Sequence, residues 1–232
     1  MKPSILFLPG LLCDDALWAP QVDALSERYN CIVADMTKDD TMSGMASRAI
    51  AEMPGRFAVA GLSMGGYCAL EVMRQVPERV ERLALLDTSA RADQPDRTEI
   101  RRALIARVRE GAFETVITEH FQHFVHPSRL DDVEIMSTIR NSALNVGPEA
   151  YMQQQTAIVS RPDSLGLLPR INCPTLVLCG AEDALTPPPL HDEMAAGITG
   201  AELVKVPNSG HLPTLEQPDQ VNAALMKWME RT

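Results

Sequence analysis

Six short apolar runs punctuate the chain, at residues 5–8, 31–34, 57–60, 83–86, 176–178 and 203–206. The first five are continuously apolar rather than alternating, the pattern of strands covered on both faces. The sixth carries Lys205 and reads as an edge strand. Between the runs, helical spacing over 17–29 brings Leu17, Val22, Leu25 and Tyr29 roughly onto one face, and 42–53, 64–76, 188–198 and 219–230 read similarly. A strand paired in parallel with its neighbour needs a crossover, which a helix supplies. The alternation predicts an α/β fold of about six mostly parallel strands with helices on both faces.

Residues 91–161 break this rhythm. They contain no strand pattern and read as helices over 98–110, 113–124, 130–144 and 149–159, punctuated by Gly111, Pro127, Gly147-Pro148 and Pro162. We expect a helical cap inserted after the fourth strand, with 1–90 and 162–232 forming the core and 91–161 the cap.

Gly61-Leu62-Ser63-Met64-Gly65 fits G-x-S-x-G, and its setting makes it informative: it follows a buried strand and opens a helical run. So sharp a turn strains the serine backbone and lifts its hydroxyl clear of the sheet, while the helix N-terminus adds free N–H groups beside it. A serine hydroxyl needs a base. His211 lies in a loop between the last strand and the last helix, and loops at strand C-termini gather at one edge of a parallel sheet. A carboxylate should orient the imidazole. Asp183, after the fifth strand, is the first choice, with Asp87 and Glu182 as competitors. Ser63, Asp183 and His211 then follow the chain order expected of an elbow-serine hydrolase. The developing oxyanion needs N–H donors, assigned to Met64 after the nucleophile and to Leu11 in the loop after the first strand.

With these residues in place the chain resembles the α/β-hydrolase superfamily, in particular its 3-oxoadipate enol-lactonase-like and small carboxylesterase members. The resemblance rests on 61–66, on Pro77-Glu78-Arg79-Val80-Glu81-Arg82-Leu83, on Cys173-Pro174-Thr175-Leu176 through Asp183, and on Ser209-Gly210-His211-Leu212 through Glu216-Gln217-Pro218. It covers both sheet portions and implies the α/β-hydrolase fold. Two departures stand out. Pro9-Gly10 replaces the family's usual His-Gly at the oxyanion loop, and proline lacks the side-chain hydrogen bond of a histidine. Residues 5–8 correspond to the family's third strand, leaving six core strands rather than eight.

Composition excludes several classes. Hydrophobic residues make up 45% and charged residues 22%, which excludes global disorder. No apolar run approaches the ~18 residues of a membrane span. The formal charge of −10 disfavours nucleic acid as a partner. Five cysteines (Cys13, Cys31, Cys68, Cys173 and Cys179) form no C-x-x-C pair, which suits a reducing compartment; the reading is a cytoplasmic protein with no leader. His120, His123 and His126 recur at three-residue spacing without an H-E-x-x-H pattern, so no metal is expected. Phe121, Phe124, Tyr151 and Met152 are candidate pocket-lining residues. Arg97, Arg101, Arg102, Arg107, Arg140 and Arg161 are candidates for binding an anionic group.

The expected function is a serine hydrolase of a small carboxylic ester or lactone, acting through an acyl-enzyme with no cofactor. Carbon–carbon bond hydrolysis or lyase chemistry on the same residues, perhydrolase activity and a non-catalytic receptor are the rival readings. Oligomeric state is not legible.

Overall fold

The computed structural model describes residues 2–231. Its six strands are β1 (Ser4–Leu8), β2 (Asn30–Val33), β3 (Phe57–Leu62), β4 (Val80–Leu86), β5 (Thr175–Gly180) and β6 (Glu202–Val206). They pair in the order β2-β1-β3-β4-β5-β6, and every pair is parallel. β1, β3 and β5 are buried along their whole length, as their unbroken apolar runs predict, and β6 is a half-buried edge, as Lys205 predicts; β2, whose run 31–34 reads as covered on both faces, is instead the other half-buried edge, because it pairs with β1 alone. This is the fold class that the alternation of runs predicts.

The helices are α1 (Ala19–Leu25), α2 (Met42–Ala51), α3 (Met64–Gln75), α4 (Pro95–Arg109), α5 (Phe113–Phe121), α6 (Val133–Ser160), α7 (Pro188–Gly197), α8 (Pro213–Glu216) and α9 (Pro218–Glu230). Side chains alternate across each strand, so each inner strand feeds two cores. Ile5 and Phe7 pack with Leu25 of α1 and Val221, Leu225 and Trp228 of α9. Leu6 and Leu8 pack with Met45 of α2, Leu70 and Val72 of α3, and Met194 of α7.

Helices α4 to α6 form the insertion between β4 and β5. The helices expected at 130–144 and 149–159 are the two arms of α6, which is broken where the sequence places Gly147-Pro148, at Gly147 (φ 75°, ψ 171°). That backbone region is open only to glycine, and Pro148 can follow because the first turn after a break needs no intrahelical N–H. The helix expected over 17–29 is a 3-10 turn at Asp15–Trp18, capped by Asp14, followed by α1, which ends at Leu25.

The order in which strands are added reverses at β1, which pairs with β2 on one side and β3 on the other. The carboxyl edge beside such a switch point is where open α/β sheets bind ligands. Among the described residues, four non-glycine residues have positive φ: Leu12 (62°), Ser63 (56°), Asp87 (44°) and Asn208 (55°). They follow β1, β3, β4 and β6, so the strained backbone is gathered at that one edge.

His191 on α7 is fully buried and braces this edge. Its Nε2 accepts a hydrogen bond from the Thr88 N–H at 3.0 Å, so the ring is neutral. Burial pushes the ring down to about 4, against the opposing pull of the Asp183 charge. A ring that stays neutral in the fold but protonates when unfolded costs stability as pH falls from about 6.5 towards 4. At pH 5 this single group should cost on the order of 2 kcal/mol relative to pH 7. His191→Gln keeps an acceptor for Thr88 and does not titrate. Its urea midpoint should therefore fall less between pH 7 and pH 5 than that of the parent chain; an equal fall would show that His191 is not the titrating group.

Candidate active site

The serine sits where β3 turns into α3, at φ 56° and ψ −114°. Two glycines permit the turn. A Cβ on Gly61 would overlap the Gly65 carbonyl, and one on Gly65 would overlap the Leu8 carbonyl. The turn is tied from both sides, because Ser63 N–H donates to Leu86 O at 2.9 Å and the Thr88 hydroxyl donates to Ser63 O at 2.8 Å.

Three distant segments converge here. Ser63 Oγ lies 2.8 Å from His211 Nε2, and His211 Nδ1 lies 2.9 Å from Asp183 Oδ2. His211 and Asp183 are buried, and the hydroxyl faces a cavity. Asp183 Oδ1 also accepts from the N–H groups of Leu185 (2.8 Å) and Thr186 (3.1 Å), and Oδ2 from the Thr186 hydroxyl (2.6 Å). Burial opposes the charge of Asp183, but His211 and the Thr186 hydrogen bonds outweigh it and hold the carboxyl down at about 2.

Asp87, the first competitor for this position, stands directly behind it. A carboxyl oxygen of Asp87, one of Asp183 and a ring nitrogen of His211 lie within 4.8 Å of one another. Asp87 is fully buried; its Oδ1 accepts from the Gly180 N–H at 2.8 Å, and its Oδ2 has no partner. Burial first, and then the Asp183 charge, push the Asp87 carboxyl well above the usual carboxylate range. Two carboxyls in one dry site cannot both ionise. The one with four donors keeps the charge and Asp87 keeps a proton. Glu182, the second competitor, accepts instead from the Ser209 N–H at 3.1 Å.

Neither Leu11 N–H nor Met64 N–H donates to a protein acceptor among the described residues. Met64 is the first residue of α3, where an N–H has no intrahelical partner. The Leu11 loop is fastened by a residue that the sequence reading missed. Gln154 of α6 is completely buried, accepts from Leu12 N–H at 3.1 Å and donates to Met36 O at 3.2 Å. It supplies the side-chain anchor that Pro9 cannot. Glu216, also missed, plays the same part for the histidine loop. Its buried carboxylate accepts from the N–H groups of Gly210, Leu212 and His126. Gln154 sits in ordinary helical spacing with no local pattern to mark it, and Glu216 falls in the run 209–218 that carries the family resemblance without showing there what it bonds.

The cavity has a volume of about 430 Å³, and Leu11, Ser63, Phe124 and His211 line it. Phe121 and Tyr151, expected as lining residues, lie behind the wall. Phe121 packs with its ring centroid 6.3 Å from that of Phe124, and Tyr151 is fully buried with its hydroxyl bonded to Gln155 and His120. Helical spacing does not separate the inner from the outer layer of a packed insertion. Of the arginine candidates, Arg97, Arg101 and Arg161 reach the cavity, joined by Arg91. Arg107 and Arg140 instead pair with Glu119 and Glu114.

The three histidines of the insertion do not converge on a metal site. His120 bonds Tyr151 and His126 bonds Ser128. Among the described residues only Asp87, Asp183 and His211 bring metal-ligand atoms together, and the Asp183 oxygens are already taken by their donors. The five cysteines are free, and burial pushes the Cys13 thiol beside the oxyanion loop up to about 12. No helix among the described residues is long and apolar enough to cross a membrane.

Comparison with known proteins agrees with this architecture. Pimeloyl-[acyl-carrier protein] methyl ester esterase from Nitrosomonas europaea is 27% identical over 232 residues, covering 94% of this chain and 92% of the relative. A thermophilic esterase from Thermogutta terrifontis aligns with a TM-score of 0.91 at 31% identity, over 99% of this chain and 90% of that one. The enol-lactonase from Burkholderia xenovorans LB400 shares the fold, with a TM-score of 0.91 at 23% identity over 100% of this chain and 92% of that one. Residues 5–224 match the family described as "Alpha/beta hydrolase family". A parallel six-stranded sheet, a serine at its β3–α3 turn and a match over nearly the full length make this chain a member of the alpha/beta hydrolase family.

Proposed function

We propose that the protein hydrolyses a small carboxylic ester or lactone through an acyl-enzyme on Ser63. The observation that carries this reading is the line Ser63 Oγ–His211 Nε2–His211 Nδ1–Asp183 Oδ2, with steps of 2.8 and 2.9 Å, opening on a cavity beside two unpaired N–H groups. The esterase relative from Nitrosomonas europaea supports ester chemistry.

Ser63 Oγ attacks the carbonyl carbon as its proton passes to His211 Nε2. The carbonyl oxygen takes the negative charge and accepts from Leu11 N–H and Met64 N–H; a single donor of this kind is worth about 3–4 kcal/mol in the transition state. Asp183 stabilises the imidazolium and holds its tautomer. The proton on Nε2 moves to the leaving alkoxide, the alcohol departs, and the acyl group stays on Ser63. Water then attacks the acyl carbonyl, giving a proton to His211, which returns it to Ser63 Oγ as the acid leaves. Glu216 and Gln154 position these groups from outside the cavity, and Thr186 does so from its wall.

Ser63→Ala should lower kcat on p-nitrophenyl acetate or butyrate by a factor on the order of 10⁶. Near-normal turnover by that variant would reject the mechanism. The two buried carboxyls separate in a second test. Asp183→Asn should cost a factor on the order of 10⁴ in kcat, as the wrong tautomer does in related relays. Asp87→Asn replaces a neutral acid with a neutral amide and should stay within about threefold, with an unshifted pH–rate profile. A comparable collapse of both variants would mean that Asp87 shares the charge. Finally, Gln154→Leu should lower kcat about tenfold, on the order of 1.4 kcal/mol, with little change in KM, because it frees the loop that carries the Leu11 donor; a change confined to KM would remove Gln154 from that role.

A further inference from the structure

The cavity wall contributed by the insertion is built differently from the rest of the surface. The chain carries 31 acidic against 21 basic residues, yet Arg91, Arg97, Arg101 and Arg161 all line this one cavity. Arg91 is neutralised by Glu193 through two short bonds of 2.8 and 2.6 Å. Arg101 and Arg161 share a single carboxylate, Asp93, at 2.6 and 2.8 Å. Arg97 meets only the Leu185 carbonyl at 3.0 Å and has no carboxylate within 4.0 Å among the described residues. Four guanidiniums thus face two carboxylates, and two positive charges are unmatched. Asp183 cannot serve them, because it is enclosed by its own donors.

The free polar hydrogens point the same way. Arg161 gives its terminal nitrogens to Asp93 and to the carbonyls of Ile158 and Arg91, with the Tyr67 ring 4.0 Å beneath it, and only its buried Nε has no partner among the described residues. Arg101 uses Nε on Asp93 and Nη1 on Gln155 Oε1, and its Nη2 has no protein partner among the described residues. The same contact orients the Gln155 amide, whose Nε2 donates to the Tyr151 hydroxyl at 2.8 Å. Tyr151 is fully buried, so its one proton goes to His120 Nε2 at 2.9 Å. His120 must then carry its own proton on Nδ1, and that N–H has no partner among the described residues although His120 lines the cavity. The relay from Arg101 to His120 therefore turns a histidine into a fixed donor. Arg97, Arg101 and His120 all offer hydrogens, and a ligand seated against them has to supply acceptors and negative charge.

We propose that the substrate carries, besides its ester or lactone, an ionised acid group, carboxylate or phosphate, held by Arg97, Arg101 and His120. This rests on the hydrolase reading above and names its substrate class. The test uses three methyl esters of matched chain length: a neutral ester, the half-ester of a dicarboxylic acid, and an ester ending in phosphate. At least one charged ester should exceed its neutral twin tenfold or more in kcat/KM, and the better of the two identifies the acid group. Arg97→Gln should cut that charged-to-neutral ratio at least fivefold through KM. Arg102→Gln, on the same helix but outside the cavity, should leave the ratio alone. Charged esters no better than the neutral one, or an unaltered ratio in Arg97→Gln, would overturn the inference.

A calorimetric arm separates this failure from failure of the hydrolase reading. Ser63→Ala protein should bind the free dicarboxylate or the alkyl phosphate, and Arg97→Gln added to it should weaken that binding at least fivefold. Absence of binding, or binding indifferent to Arg97, overturns the anion site whatever the esters do. Loss of neutral-ester turnover in Ser63→Ala bears on the hydrolase reading alone. Thermal melts of each variant verify that the proteins compared are folded.

Discussion

A serine held at φ 56° and ψ −114° is the constraint on which the site depends. Backbone in such a region costs on the order of 1–3 kcal/mol and persists only where its surroundings over-determine it. Here β4 does so. Its terminal carbonyl accepts from the serine N–H, and the Thr88 hydroxyl closes on the serine carbonyl. The glycines at 61 and 65 let the strand, the turn and the helix approach to backbone contact. The strain lifts the hydroxyl out of the sheet and leaves the first N–H groups of α3 facing the same space. Relaxing the serine would withdraw both at once.

Electrostatics at this edge rest on an unequal division of hydrogen-bond donors. Asp183 and Asp87 sit in one dry pocket, but the loop after β5 turns two N–H groups and a hydroxyl towards only the first. The negative charge therefore resides where His211 can use it, and the neighbouring acid stays neutral. His191 is kept neutral as well, by burial and by the N–H it accepts. Of Asp183, Asp87 and His191, only Asp183 thus carries a charge, and it is the one bonded to the imidazole.

The legible parts of the molecule are those whose information is local. Unbroken apolar runs such as 57–60 mark inner strands because both faces of those strands are covered, and Lys205 marks an edge because one face is not. The G-x-S-x-G turn is legible because its steric demands fall on adjacent residues. Asp183 and His211 could be named because strand C-termini share one edge. Gln154 could not. It bonds Leu12 across 142 positions, and a glutamine on a helix has no spacing that distinguishes a buried anchor from a solvated side chain. Glu216 stands in a run that carries the family resemblance, but nothing in that run shows that its carboxylate also reaches the His126 N–H, 90 positions away. Phe121 and Tyr151 read as cavity-lining residues from the sequence because helical periodicity reports that a residue is inward without reporting which layer it belongs to. Phe124 lines the cavity, whereas Phe121 and Tyr151 support it from behind.

The Gln154 anchor has a mechanical consequence. Its amide holds Leu12 with one end and Met36 with the other, and the Phe124 carbonyl accepts from His211 N–H at 3.0 Å. The insertion is thus stitched to the core at two corners of the chemistry, and swinging it away as a hinged flap would strand buried polar groups at about 1–3 kcal/mol each. Traffic into the chamber then depends on small rearrangements at the rim, where Arg97 leans on the Leu185 carbonyl, rather than on the whole roof rising.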